Sequence, residues 1–137
     1  MKYLLDTDVI SQRAKTHPNP DVSRWLGSIT QEDIFLSVMT IEEVRAGVEA
    51  MPQGAKRQVV ERWLKDDLIQ GFDGRIVPID TAVANECGRL VVAVQKQGHT
   101  PSLGDALIAA TALVHGLRLA TLNRKDFKRL GIALVDF

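Results

Sequence analysis

Acidic side chains in this chain recur where an apolar run gives way to polar residues. Tyr3-Leu4-Leu5 ends in Asp6-Thr7-Asp8, Ile34-Phe35-Leu36 is followed by Glu43, the apolar segment opening at Ser102 carries Asp105, and Leu117 to Leu122 leads into Asn123 and Asp126. Taken singly, each acid suits a helix cap or first turn, where free N–H groups and the macrodipole favour a carboxylate. Thr40-Ile41-Glu42-Glu43 has the spacing of a capping box, Asp105 stands three residues after Ser102 in the same arrangement, and Asp8 is placed to cap the turn after the first run. Gathered at one end of one sheet, however, carboxylates roughly 5 Å apart repel by about 3 kcal/mol per pair at an effective dielectric near 20, more than capping returns. A divalent cation relieves that repulsion. Hard oxygen donors without a His or Cys cluster select Mg²⁺, with Mn²⁺ as substitute, over zinc. The expected chemistry is metal-assisted attack on a phosphate.

Bringing these residues together requires strands that end side by side. Tyr3-Leu4-Leu5 reads as a buried strand, and Asn19-Pro20-Asp21 predicts a helix from Pro20 to Leu26 closed by Gly27. Asp33 to Val38 reads as a second strand, and the capping box starts a helix at Thr40 that stops at about Met51, before Pro52. Val59, Val60, Trp63, Leu64 and Leu68 form a helical stripe, and Asp73-Gly74 turns the chain into a third strand, Arg75 to Ile79. Asp80 caps a helix from Thr81 to Gln97, with Gly98 just past its end. The segment from Ser102 to Val114 reads as a helix buried on most sides, ending at Gly116, and Leu117 to Leu122 as the fourth strand. Lys125 to Leu130 suggests a short helix and Ile132 to Val135 a terminal strand. Strands alternating with helices imply parallel pairing through crossovers, so the expected fold is α/β, a three-layer α/β/α arrangement around a mostly parallel sheet. Ligands of such sheets bind beyond the carboxyl ends of the strands, where the acids fall.

A length of 137 residues suits one domain spanning 1–137, and 45% hydrophobic with 25% charged residues is an ordinary globular composition. Lys plus Arg and Asp plus Glu both number 17, so any nucleic-acid contact must use a local patch. The run Arg124, Lys125, Lys128 and Arg129 beside Asn123 is that patch for RNA, ahead of Lys56, Arg57 and Arg62. One cysteine, Cys87, an amino terminus without a signal-peptide pattern, and no apolar stretch of membrane-spanning length point to the cytoplasm and to no membrane partner.

Four segments then carry a resemblance: Leu4-Leu5-Asp6-Thr7-Asp8-Val9-Ile10-Ser11, Thr40-x-x-Glu43-Val44-x-x-Gly47, Gly104-Asp105-Ala106-Leu107-Ile108-Ala109-Ala110-Thr111-Ala112, and Ala120-Thr121-Leu122-Asn123-x-x-Asp126-Phe127. In this order they resemble the motifs of PIN-domain ribonucleases, and within them the VapC and FitB type toxins. The resemblance implies a Mg²⁺ site made by Asp6, Glu43 and Asp105, a homodimer, and a cognate antitoxin whose tail occludes the site. One departure is Asn123, which stands at the fourth acidic position of many relatives and contributes no charge there. Asp126 is its weaker substitute. Thr7, Asp8 and Thr121 are placed to orient ligands or water, and RNA hydrolysis by such a site leaves a 3′-hydroxyl and a 5′-phosphate. Glu42 lies about 100° from Glu43 on a helix, so only one of them faces the site, and the motif spacing chooses Glu43.

Two other functions use parts of the same pattern. Asp6-x-Asp8 after an apolar strand also suits a haloacid-dehalogenase-like phosphatase with Asp6 as nucleophile, although Asp66-Asp67 falls within a helix rather than after a strand. A receiver-like module would need an Asp after the third strand and a Lys after the fourth, which Asp80 and Lys125 approximate, while a degenerate PIN domain that only binds RNA or a partner is the other alternative, against which Asp6, Glu43 and Asp105 are all present. His99 and His115 read as a loop group and a helix-end cation, Trp25, Trp63 and Phe35 as packing, and Cys87 as an inert core thiol.

Overall fold

A computed structural model describes residues 1–137. The first apolar run is strand β1 (Tyr3–Leu5), followed directly by a single-turn helix α1 (Thr7–Ile10) and, after a polar loop, by α2 (Pro20–Ser28). Asn19 Oδ1 accepts from the backbone N–H groups of Asp21 and Val22, as the Asn-Pro-Asp signal implied. Gly27 does not close α2. It lies inside the helix, which ends one residue later, where the Ser28 hydroxyl donates to the Trp25 carbonyl.

Strand β2 (Ile34–Ser37) is shorter than the sequence suggested, because Ser37 already caps the next helix, α3 (Val38–Ala50), its hydroxyl accepting from Met39 N–H. The helix therefore starts before Thr40. Thr40 is a buried side chain of its first turn, and the capping box read at Thr40–Glu43 does not form. After Gly54, helix α4 (Ala55–Arg62) continues without a break into a π-helical segment, Trp63–Gln70. Leu64, Leu68 and Phe72 follow one another at four-residue intervals and are all fully buried, a spacing that the wider turn keeps on one face. Gly71 closes this segment because a Cβ there would stand 2.2 Å from the Asp67 carbonyl oxygen.

Strand β3 is brief (Ile76–Val77), and α5 (Thr81–Lys96) is capped by Asp80 accepting from Val83 N–H. Helix α6 (Leu103–His115) begins at Ser102, whose hydroxyl accepts from Asp105 N–H, and ends at Gly116 in the left-handed conformation (φ +63°). Strand β4 (Arg118–Ala120) and helix α7 (Arg124–Arg129) complete the order. The terminal strand expected over Ile132 to Val135 is reduced to one parallel bridge, Leu119 to Leu134.

All strand pairings are parallel, in the order β3-β2-β1-β4. Period-two alternation divides the core between the faces. Leu5, Ile34, Leu36 and Ala120 pack with α1, α2, α3 and the π-helical segment; Leu4, Leu119 and Phe35 pack with α5, α6 and α7. This is the three-layer α/β/α arrangement. Cys87 lies in the small cluster between α5 and α6, where burial pushes its thiol up, as expected of an inert core group. The neighbouring strands β1 and β4 deliver Asp6 and Thr121 side by side, since Asp6 N–H donates to the Ala120 carbonyl at 2.9 Å.

Candidate functional site

Asp6 is the most enclosed acid of the chain, 6% exposed at the end of β1. Its Oδ1 accepts from Thr7 N–H at 2.8 Å and its Oδ2 from the Thr121 hydroxyl at 2.8 Å. Burial, followed by the negative field of Asp8, pushes its carboxyl up to about 7 in spite of those two bonds. Thr121, fully buried, also accepts from Asn123 N–H at 3.0 Å, so one hydroxyl ties the end of β1 to the loop after β4.

Glu43 reaches the same place from α3. Thr7 Oγ1 lies 3.0 Å from Glu43 Oε1 and 3.0 Å from Thr40 Oγ1. A hydroxyl has one proton, so the consistent assignment is Thr7 donating to the carboxylate and accepting from Thr40. Thr40 is the site residue that the sequence reading missed. Its signal was the same T-x-x-E spacing that suggested a cap, because residues three apart share a helix face and can meet one partner.

Asp8 does not cap the turn after β1; that bond is made by Asp6. The Asp8 carboxylate instead accepts from Leu122 N–H, at 3.2 Å to the nearer oxygen, which pins the loop after β4. Behind it, buried Gln12 donates to the Asp8 carbonyl and accepts from Asn19 N–H. Asp105, one turn into α6, keeps the backbone bond to Ser102 and turns its side chain to Asn123, with Nδ2 to Oδ2 at 3.4 Å. The same Nδ2 donates to Asp126 Oδ2 at 3.1 Å, and Asp126 Oδ1 accepts from Arg129 at 3.2 Å.

The acids therefore form one electrostatic group. Burial comes first in raising Asp8, Glu43 and Asp105, and the charge of Asp105 raises Asp6, Asp8 and Glu43 alike, while Asp126 raises Asp105. No three His, Cys, Asp or Glu side chains stand close enough to enclose a cation by themselves. The donor set nevertheless suits Mg²⁺, a hard ion that keeps several waters and takes one or two carboxylates directly.

The basic run is divided. Arg124 is bound to the Val135 carbonyl and Asp136, and Arg129 to Asp126, while Lys125 and Lys128 extend into solvent. Arg57, of the second group, is held by Glu49 and the Met51 carbonyl.

The PIN domain family profile matches residues 3–133. The chain belongs to the PIN domain family. It is 36% identical to toxin FitB of Neisseria gonorrhoeae, across 97% of this chain and 96% of that protein. It is 31% identical to VapC ribonuclease Y4jK of Sinorhizobium fredii across 97% and 95% of the two chains. Identity to the tRNA(fMet)-specific endonuclease VapC of Shigella flexneri is 30%, across 96% and 93%. Among solved structures, FitAB bound to an IR36 DNA fragment superposes with a TM-score of 0.90 at 34% identity, covering 97% of this chain and 93% of that one. The FitAcB structure from Neisseria gonorrhoeae gives 0.90 at 35%, covering 98% and 96%.

Membership of the PIN family disfavours the phosphatase and receiver readings, and the geometry gives the reasons. Asp66 and Asp67, the later acids available to a phosphatase, lie within the π-helical segment rather than after a strand. Asp80 follows the edge strand β3, two strands from β1, and is used as a cap.

The Thr121 hydroxyl offers a local test. Thr121→Val deletes the donor to the buried Asp6 carboxylate, and losing a bond to the charged form raises that carboxyl further. Metal-dependent activity at pH 7 is expected to fall about 10- to 100-fold, with the acid limb of the pH–rate profile moving upward. Thr121→Ser retains the bond and should restore both.

Proposed function

We propose that this PIN domain protein is a Mg²⁺-dependent endoribonuclease, with Mn²⁺ able to substitute, acting as the toxin of a type II toxin–antitoxin pair. The observation that carries the reading is the shared field of Asp6, Asp8, Glu43 and Asp105, delivered from two strand-to-helix junctions and the start of α6 to one place where each carboxyl sits above its ordinary range. Such repulsion has little use in a metal-free binding module and is relieved by a divalent ion.

Asp6, Glu43 and Asp105 would hold the ion in this reading, one or two of them directly and the others through its waters. When bound, it supplies the positive charge that polarises the scissile phosphate and acidifies the attacking water. Around it, Thr7 fixes Glu43 and Thr121 fixes Asp6, both by donating to the charged carboxylate. Asp8 holds the backbone of the β4 loop, and Asn123 spans Asp105 and Asp126 without adding charge. Lys125 and Lys128 remain free to meet the RNA backbone. The products carry a 3′-hydroxyl and a 5′-phosphate.

The named relatives include a toxin and ribonucleases, and the FitAB assemblies share this fold at 34% and 35% identity. These support a cognate antitoxin as partner; the reading adds that its tail covers the site and that the toxin is a homodimer working in the cytoplasm. No helix of the structure is long and apolar enough to cross a membrane.

Induced expression of the wild type alone is expected to arrest growth, Asp6→Asn expression is not, and co-expressed antitoxin relieves the arrest. Harmless expression of folded protein that cuts RNA in vitro would remove the toxin role and leave the nuclease.

A further inference from the structure

Asn123 lies, partly buried, between two acids that would otherwise repel each other. Its Nδ2 is 3.4 Å from Asp105 Oδ2 and 3.1 Å from Asp126 Oδ2. An amide nitrogen carries two protons, one for each carboxylate, and the opposite flip would turn the amide oxygen toward both negative groups. The network therefore fixes Asn123 as the donor. The residue is itself held from behind: its backbone N–H donates to the Thr121 hydroxyl, which donates in turn to Asp6. One chain of bonds thus runs from Asp6 through Thr121 and Asn123 to Asp105.

The same amide, together with Arg129, occupies Asp126. Asp126 Oδ1 accepts from Arg129 and Oδ2 from Asn123, so its charge is spent on an ion pair within α7. Asp8 is committed likewise, both of its oxygens facing Leu122 N–H at 3.2 and 3.3 Å. Asp6, Glu43 and Asp105 remain for a cation. Their three negative charges exceed those of one divalent ion and fall short of two. A two-ion centre, with its ions about 3.5–4 Å apart, needs carboxylate charge for both. Position 123 is where a further carboxylate would stand between Asp105 and Asp126, and there the chain places a neutral donor.

We propose that Asn123 is a positioning residue that makes this a one-ion site: its two amide protons hold Asp105 in place for the ion and keep Asp126 bound away from it. The proposal rests on the metal-dependent nuclease reading and adds to it the number of ions and the residue that sets that number.

The test counts Mn²⁺ bound per chain without RNA, from the loss of the free-ion electron paramagnetic resonance signal, with circular dichroism as the fold check. The wild type should bind one ion. Asn123→Asp replaces the donor by a third carboxylate between two others and should bind a second ion. Asn123→Ala should still bind one, with Kd raised about 10- to 100-fold, the cost of losing a group that orients a metal ligand. A residue serving only the fold would lower the melting temperature and leave Kd where it was. Asp126→Asn keeps an oxygen to accept from the amide and should cost less affinity than Asp105→Asn. Two ions on the wild type, one ion on Asn123→Asp, an unchanged Kd in Asn123→Ala, or equal losses at Asp126 and Asp105 would each overturn the proposal and leave the nuclease reading standing. No Mn²⁺ bound by the wild type at millimolar concentration would overturn the metal reading and the proposal with it.

Discussion

Asp6→Asn, Glu43→Gln and Asp105→Asn are each expected to lower Mg²⁺-dependent RNA cleavage by at least about a hundredfold with the fold intact. Loss of a group that only orients a metal ligand costs about 10- to 100-fold, and these residues are the proposed ligands themselves. The substitutions remove charge and keep volume. At Asp105 the Ser102 cap bond uses the backbone N–H and survives the change. At Asp6 the amide can still accept through its oxygen from Thr121 or Thr7. Glu42→Gln is the control: Glu42 is exposed on the neighbouring helix position and touches neither Thr7 nor Thr40, so most activity should remain. Rates on a labelled RNA, with circular dichroism as the fold check, measure all four variants. Full activity in any one of the three would remove that residue from the site.

The second large effect is on stability, and its sign follows from the same crowding. Asp6 titrates near 7 when folded against 3.8 for the free side chain. A carboxyl raised in this way binds its proton more tightly in the native state. The stability it contributes is full below about pH 4 and is lost as pH rises through 7. For Asp6 alone the loss is up to about 4 kcal/mol, and the raised carboxyls of Asp8, Glu43 and Asp105 act in the same direction. In EDTA, therefore, this group of acids lowers the melting temperature between pH 5 and pH 8. Asp6→Asn should flatten that slope. A cation binding only the native state stabilises it by RT ln(1 + [L]/Kd), about 2.7 kcal/mol at a hundredfold excess over Kd, which is a rise of several degrees. Asp105→Asn should raise the metal-free melting temperature at pH 8 and shrink the Mg²⁺ increment, since one substitution removes both a repulsion and a ligand. A purely capping acid behaves oppositely, lowering the metal-free melting temperature slightly when its charge is lost. Wild-type melts indifferent to millimolar Mg²⁺ and Mn²⁺ would contradict the metal site.

Much of this was legible in the sequence because the signals were local and agreed with each other. Continuous apolar runs marked the parallel strands, and Asn19, Asp80 and Ser102 marked helix starts that the structure realises. The rule that ligands bind beyond strand ends then selected Asp6, Glu43 and Asp105. The misreadings arose where two local signals competed. Val38, β-branched, read as strand, and Thr40-x-x-Glu43 read as a cap; Ser37 capped the helix first, so Val38 became helical and Thr40 turned to Thr7. The π-helical segment had no signal in a three-and-four periodicity test, because Leu64, Leu68 and Phe72 satisfy either turn until Gly71 is seen to close against Asp67. The pairing of Arg124 and Arg129 was not legible, because their partners, Val135, Asp136 and Asp126, depend on how the carboxyl terminus and α7 fold back.

The central claim is that clustered carboxylates cut RNA through a divalent ion, and end-group analysis of the products tests it most directly. Purified wild-type protein is incubated with labelled RNA in Mg²⁺ and in EDTA, and the new termini are identified. The account predicts cleavage in Mg²⁺ only, with 5′-phosphate and 3′-hydroxyl ends. Cleavage that persists in EDTA and leaves 2′,3′-cyclic phosphates would contradict it, as would intact RNA in both Mg²⁺ and Mn²⁺.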